Sequence, residues 1–311
     1  MRLDPSAALA GHPIDEIEVL RVAFEEAPAE AVLEAVLDTF PGQVAMVSSF
    51  GAEAAVLLKM IADIDRDLPV LMIDSLLLFE ETMDYQRTLS AHLGLRNVQL
   101  IRPSPDDLRR ADPDDTLHQR DQDACCEIRK VLPLDRALRR WPVSITGRKR
   151  FQASTRTALR VIERDGARLK VNPLARWSAQ DLRDYMDAHD LPKHPLVARG
   201  FRSIGCAPCT TPVGEDEDDR AGRWRGSEKV ECGIHFGADG RGFSIGKSLR
   251  DLGFAGRLRA AGPLIADQYR MARRVGFDEV EIPDEMAERQ PEEQWRPRPQ
   301  VSYQQHLSGI R

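Results

Sequence analysis

Apolar positions recur along the first half of the chain in two alternating rhythms. Over residues 14–40, Ile17, Leu20, Phe24, Val32, Leu33, Val36 and Leu37 return at helical spacing on either side of Pro28, which predicts two amphipathic helices broken at the proline. Four short aliphatic runs follow at 44–47, 70–73, 97–101 and 143–146, and helical patterns at 54–61 and 80–93 lie between them. Strands that alternate with helices over this length predict an α/β fold with a doubly wound parallel sheet, in which ligands sit beyond the carboxyl ends of the strands. Ser49, Asp74 and Gly147 fall at such ends.

The turn after the first run reads Ser48-Ser49-Phe50-Gly51-Ala52-Glu53. A strand, a Ser- and Gly-rich turn and then a helix directs backbone N–H groups at an anion, although an ordinary helix cap uses the same residues. Residues 102–124 are polar, with Pro103, Pro105 and Pro113, and read as a loop. The acidic run 215–219 reads as a solvated loop just before Arg220-Ala221-Gly222-Arg223-Trp224. Beyond His235 the chain turns glycine-rich over 236–242. Helix, strand, helix and strand are then expected at 244–252, 256–260, 263–275 and 279–282, a small α/β module with a polar, extended tail over 283–311. This divides the chain into residues 1–235 and 236–311.

Charge narrows the choice of partner. Lys and Arg number 44 against 50 Asp and Glu, a formal net charge of -6, so neither a nucleic acid nor a membrane is expected as a partner. No export signal opens the chain, and no apolar run approaches the roughly 18 residues of a spanning helix. A cytoplasmic location is expected, where thiols stay reduced and clustered cysteines serve as metal ligands or catalysts.

Five cysteines carry the chemistry: the pairs Cys125-Cys126 and Cys206-Ala207-Pro208-Cys209, and Cys232 alone. The second pair suits zinc. Adjacent cysteines reach one tetrahedral ion less readily than an iron–sulfur cubane, in which each thiolate binds a different iron, so a 4Fe-4S cluster is favoured and zinc stays open. Cys232 is flanked by charge, with Lys229 and His235 favouring its thiolate and Glu231 opposing it, and it reads as a nucleophile. Arg129-Lys130, Arg148-Lys149-Arg150, Arg156, Arg220 and Arg223 fall beside the cysteines or at strand ends, as an oxyanion pocket requires.

Together these stretches resemble the assimilatory adenylyl-sulfate (APS) reductases of the iron–sulfur type, in the APS/PAPS reductase family. The resemblance runs from about residue 44 to 235 through Ser49-Phe50-Gly51-Ala52-Glu53, Cys125-Cys126-Glu127-Ile128-Arg129-Lys130, Ile145-Thr146-Gly147-Arg148, Ser154-Thr155-Arg156, Lys170-Val171-Asn172-Pro173-Leu174, Gly205-Cys206-Ala207-Pro208-Cys209-Thr210 and Glu231-Cys232-Gly233-Ile234-His235.

It implies an adenine-nucleotide-hydrolase-like fold related to the PP-loop enzymes, and thioredoxin-dependent reduction of APS to sulfite and AMP in sulfate assimilation. Cys125, Cys126, Cys206 and Cys209 would ligate the cluster. Cys232, Lys130 and His235 would be catalytic, and Ser49, Gly51, Asp74, Arg129, Gly147, Arg156, Arg220 and Arg223 would bind substrate. A glutaredoxin-like thiol donor is the alternative to thioredoxin, and a homo-oligomer is left open. PAPS is the rival substrate; a PP-loop adenylating enzyme and a zinc-binding interaction protein are the rival classes.

Where relatives often read Asp-Thr-Gly-x-Leu-Phe-Pro-Glu-Thr, this chain has Asp74-Ser75-Leu76-Leu77-Leu78-Phe79-Glu80-Glu81-Thr82, without the Gly and Pro. The C-terminal stretch is similar to a small domain of unknown function encoded near sulfite reductase genes in some bacteria, which points to a contact with sulfite reductase. The glycines at 233, 237, 240 and 242 are the expected hinge between the two parts.

Overall fold

The four aliphatic runs form the middle and one edge of a six-stranded sheet of order β3-β2-β1-β4-β6-β5. β1 (Val44–Ser48), β2 (Val70–Ile73) and β4 (Val143–Thr146) are buried along their whole length. Val44 and Met46 belong to one core cluster, and Ala45 and Val47 to another. Both faces of the sheet are therefore covered, which is why these strands read as unbroken apolar runs rather than alternating ones. β3 (Val98–Ile101) and β6 (Arg168–Val171) continue the parallel order, and β5 (Ile162–Asp165) closes the edge antiparallel to β6. The order turns at β1, which pairs with β2 on one side and β4 on the other, so the carboxyl ends of β1 and β4 open a crevice.

The computed structural model describes residues 14–152, 156, 157, 159–165, 168–227, 229, 232, 233 and parts of 246–295. The chain forms two compact units, Met1–Ala238 and Asp239–Arg311. In the first, α1 (Ile14–Phe24) and α2 (Ala29–Thr39) are separated at Pro28, the N-cap of α2. α3 (Ala54–Ile64) follows the Ser/Gly turn, and α4 (Glu80–Leu93) ends at Gly94, whose left-handed φ of 68° closes the helix.

The stretch 102–124, expected as a loop, instead holds three short helices: α5 (Pro105–Ala111), α6 (Leu117–Arg120) and α7 (Gln122–Cys126). Pro105 sits in the first turn of α5, where a proline starts a helix rather than breaking it. Asp121 caps α7, its side chain accepting from the N–H groups of Asp123 and Ala124. A π-helical turn at Glu127–Val131 joins α7 to α8 (Leu132–Leu138), and α9 (Ala179–Ala188) starts from a capping box made by Ser178 and Asp181.

In the second unit, β7 (Arg259–Ala261) and β8 (Glu279–Glu281) pair in parallel, and the helices expected at 244–252 and 263–275 lie mostly outside the described residues. Arg250 braces this unit by donating to the carbonyls of Phe254, Gly256 and Gly276 and to Asp278. The tail expected over 283–311 lies almost wholly outside the described residues. Among the described residues no helix is long and apolar enough to cross a membrane.

Candidate active site

At the carboxyl end of β1 the backbone turns sharply. Phe50 adopts a left-handed φ of 48°, is fully buried, and donates its N–H to Ser48 Oγ at 3.2 Å. Gly51 leaves just enough room for the next turn of chain: a Cβ there would stand 3.4 Å from Ser49 Oγ and 3.5 Å from the Ile204 carbonyl. α3 then begins with no side-chain cap, and Ala54 N–H donates to the Gly51 carbonyl at 3.1 Å.

The crevice is a cavity of about 250 Å³ lined from both parts of the switch point. Of the residues expected to meet substrate or act on it, Ser49, Gly51, Gly147, Arg156, Arg220, Arg223, Lys130 and Cys232 line it together. Cysteine and lysine thus meet across more than a hundred residues of chain. Arg148 and Lys149, read as part of the basic set, line it as well, joined by Arg202 and Glu53, which were given no role.

Two expected substrate residues lie elsewhere. Arg129 is fully buried and saturated: Nη2 donates to Asp112 Oδ2 and to Asp115 Oδ1, each at 2.6 Å, and Nη1 to the Ser75 carbonyl at 3.1 Å. Burial opposes the Asp112 charge, but the Arg129 and Leu117 hydrogen bonds outweigh it and hold the carboxyl below its ordinary range. Arg129 therefore locks α6, the π-turn and the Asp74 loop together. Asp74 is paired with Arg102 at 2.8 Å and accepts from the Leu76 N–H, outside the cavity lining. His235 lies outside the described residues.

The loop that lacks the relatives' glycine keeps a left-handed residue in its place: Leu76 has φ 63° and is half exposed. Glu80, where relatives place proline, opens α4 and suits the positive end of that helix. This loop grips the second cysteine pair. Ala207 N–H donates to the Leu77 carbonyl at 2.8 Å, Leu78 bridges to Cys206, and Ser75 Oγ lies 2.9 Å from Cys206 Sγ. From the other side Trp224 N–H donates to the Cys209 carbonyl at 2.9 Å.

All five cysteines are free thiols. Cys125 and Cys126 are buried at the end of α7, directly before the π-turn that buries Arg129 and Lys130. Burial pushes the Cys125 thiol up to about 11 and Cys126 up to about 12, and raises Cys209 as well. Cys206 and Cys209 lie close enough to act electrostatically on Cys125, as Cys206 and Cys232 do on Cys126. Thiols that burial keeps protonated ionise when a cationic centre binds them. Among the described residues no three His, Cys, Asp or Glu side chains are placed to hold a single ion. Lys130 is also buried, and desolvation disfavours its charge, yet its electrostatic coupling to the surrounding sulfurs of Cys206, Cys232 and Cys126 outweighs this and holds its ammonium above its usual range.

Arg223 lies against Gly205, where a Cβ would stand 2.4 Å from its guanidinium and push it aside. That guanidinium stacks over Trp224 at 4.3 Å, and its buried Nε has no hydrogen-bond partner among the described residues. Lys149, fully buried, pairs with Glu53, which Gln152 also contacts at 2.8 Å. The acidic run is not simply solvated: Glu217 accepts from Gly214 N–H and pairs with Arg225, while Asp218 and Asp219 line the cavity. Lys229 is paired with Asp123 rather than left beside Cys232 alone.

Residues 43–212 match the phosphoadenosine phosphosulfate reductase domain, and residues 214–310 match a bacterial protein family of unknown function, DUF934. An adenosine 5'-phosphosulfate reductase of Mesorhizobium japonicum is 53% identical over 67% of this chain and 82% of its own length. One from a Chelativorans species is 48% identical over 72% of this chain and 93% of its own. Among solved structures, the phosphate complex of a phosphoadenylyl-sulfate reductase from Candida auris is 26% identical with a TM-score of 0.55, over 65% of this chain and 98% of that one. With its sheet, its Ser/Gly turn and its cysteines in this order, the chain belongs to the phosphoadenosine phosphosulfate reductase domain family.

Proposed function

We propose that this chain reduces adenylyl sulfate to sulfite and AMP with electrons from thioredoxin or a glutaredoxin-like dithiol protein. The observation that carries this reading is the meeting of Cys232 and Lys130 in one cavity lined by arginines and the Ser49–Gly51 turn. The Cys232 thiolate attacks the sulfate sulfur; an S–S bond forms, and the S–O bond to AMP breaks with its electron pair on the phosphate oxygen. Lys130, Arg220 and Arg223 offset the charge of the sulfate during attack. A thiolate of the donor then attacks Cys232 Sγ, and sulfite leaves with the electron pair of the S–S bond. The donor's second thiol resolves the mixed disulfide, which regenerates Cys232 and leaves the donor oxidised.

Cys125, Cys126, Cys206 and Cys209 are the residues that would hold a 4Fe-4S cluster. Their mutual electrostatic reach, without convergence on one point, suits a centre in which each thiolate has its own iron. When bound, such a cluster would supply local charge to the site that Lys130 lines rather than electrons to the substrate. The reading places the enzyme in the cytoplasm, with the C-terminal unit bringing it to sulfite reductase.

The test is Cys232→Ser. Sulfite release is expected to fall by at least a thousandfold while APS binding stays within a fewfold of wild type, and kcat/KM of the parent is expected to favour APS over PAPS. Sulfite production by the serine variant would refute the role of Cys232.

A further inference from the structure

Cys232 has to meet substrate inside the cavity and then a protein thiol outside it, so something must hold it in place without binding it permanently. The nearest described anchor upstream is Lys229. Its ammonium pairs with Asp123, at the start of the helix that carries the first cysteine pair. It also stands 5.8 Å from the centre of the Trp224 ring, whose other cationic neighbour is Arg223 at 4.3 Å. Trp224 is 2% exposed, and the Lys229 side chain only 11%. Three residues on, Cys232 lines the cavity beside Lys130. Gly233 follows in a left-handed conformation, φ 85°, which glycine adopts at no steric cost.

We propose that Lys229, seated between Asp123 and the face of Trp224, is the positioning residue that holds Cys232 in the cavity for attack on substrate and is released before the donor thiol arrives. The geometry suits a reversible hold. The carboxylate is one-third exposed and the ring contact is nearly 6 Å long. A part-exposed ion pair and a long cation–π contact are weak holds, enough to bias a two-state segment and too little to lock it. Lys229 acts through the two residues of chain that join it to Cys232. The inference rests on the proposed reading for its catalytic meaning but not for its first readout.

The test uses the full-length, cluster-loaded protein and Lys229→Met, which keeps the apolar stem and removes the charge. Alkylation of Cys232 by iodoacetamide, read by peptide mass spectrometry without substrate, is expected to rise about fivefold. Single-turnover formation of the S-sulfo adduct from APS is expected to fall by a similar factor. Discharge of a preformed adduct by reduced thioredoxin is expected to stay equal or quicken. Lys229→Arg, and the exchange of charges in Lys229→Asp with Asp123→Lys, are expected to restore slow alkylation.

Unchanged alkylation in Lys229→Met overturns the proposal, whatever happens to turnover. So does a fall in adduct formation matched by an equal fall in discharge, which is the mark of general damage. Failure of the parent protein to form any adduct would instead refute the reductase reading, while the alkylation rates still judge the hold.

Discussion

At the scale of single residues, Leu76 and Gly205 carry the clearest consequences. Leu76 occupies a left-handed backbone where its relatives have glycine, and it gains no burial for doing so, since half of it is exposed. A left-handed non-glycine residue costs about 1–2 kcal/mol, part of which glycine gives back through its freer unfolded chain. Leu76→Gly is therefore expected to raise stability by about 1 kcal/mol in urea unfolding, whereas Leu76→Ile lowers it. Gly205 works the other way. Its missing Cβ makes room for the tip of a flexible arginine side chain. Gly205→Ala is expected to fold normally but to displace Arg223 and weaken AMP and APS binding about tenfold, ~1.4 kcal/mol by titration calorimetry. Residue types also misled: Arg129 beside the cysteines suggested an anion ligand, yet its partners Asp112 and Asp115 lie 17 and 14 positions upstream, where no local pattern announces them. That Cys232 and Lys130 would share one pocket with the arginines was legible from the charged stretches around them, and both line the cavity.

Elements were legible where their residues are apolar rather than where they are buried: β3, only part-buried but mostly Val, Leu and Ile, was as readable as the core strands. β1, β2 and β4 are apolar throughout and were visible as such, whereas β5 and β6, with Arg, Glu, Asp and Lys among their few residues, gave no strand signal. Lys170 and Asp165, paired at 3.0 Å on these strands, show why: charge is satisfied across the sheet edge rather than by water. The capping box of α9 was a readable signal, Ser178 with Asp181 three positions later, and went unused. The prolines at 102–124 misdirected the expectation because their place in a helix depends on the turn they occupy.

One inter-element joint offers a pH test. His194 is buried; its Nδ1 accepts the Leu196 N–H, so Nε2 carries the proton and donates to Thr82 Oγ1 on α4 at 3.1 Å. Burial, only partly offset by Glu81, lowers its pKa to about 4 from 6.5. The unfolded chain then binds a proton before the folded one does. Its contribution is full above pH 6.5 and is lost as pH falls from 6.5 to about 4, by roughly 3 kcal/mol at the limit. Unfolding free energy measured across that window is expected to fall, and His194→Gln to flatten the slope.

For the whole molecule, the two family matches and the two compact units do not divide the chain at the same place. The second match begins at residue 214 and so takes in Arg220, Arg223 and Cys232, which line the cavity of the first unit. A chain ending after residue 238 keeps every residue lining that cavity, and its kcat/KM for APS is expected to stay within about threefold of the full chain. Loss of sulfite transfer to sulfite reductase in that shortened chain, with turnover retained, would mark the contribution of the C-terminal unit. The position of Cys232 has one more effect. Among the described residues it is the last to line the cavity, and the others, from Met46 to Trp224, all precede it. During synthesis from the N-terminus the pocket's other walls leave the ribosome first. The reactive thiol is thus the final piece delivered, and the four thiols expected at the metal centre emerge before it can compete with them for iron or for a disulfide partner.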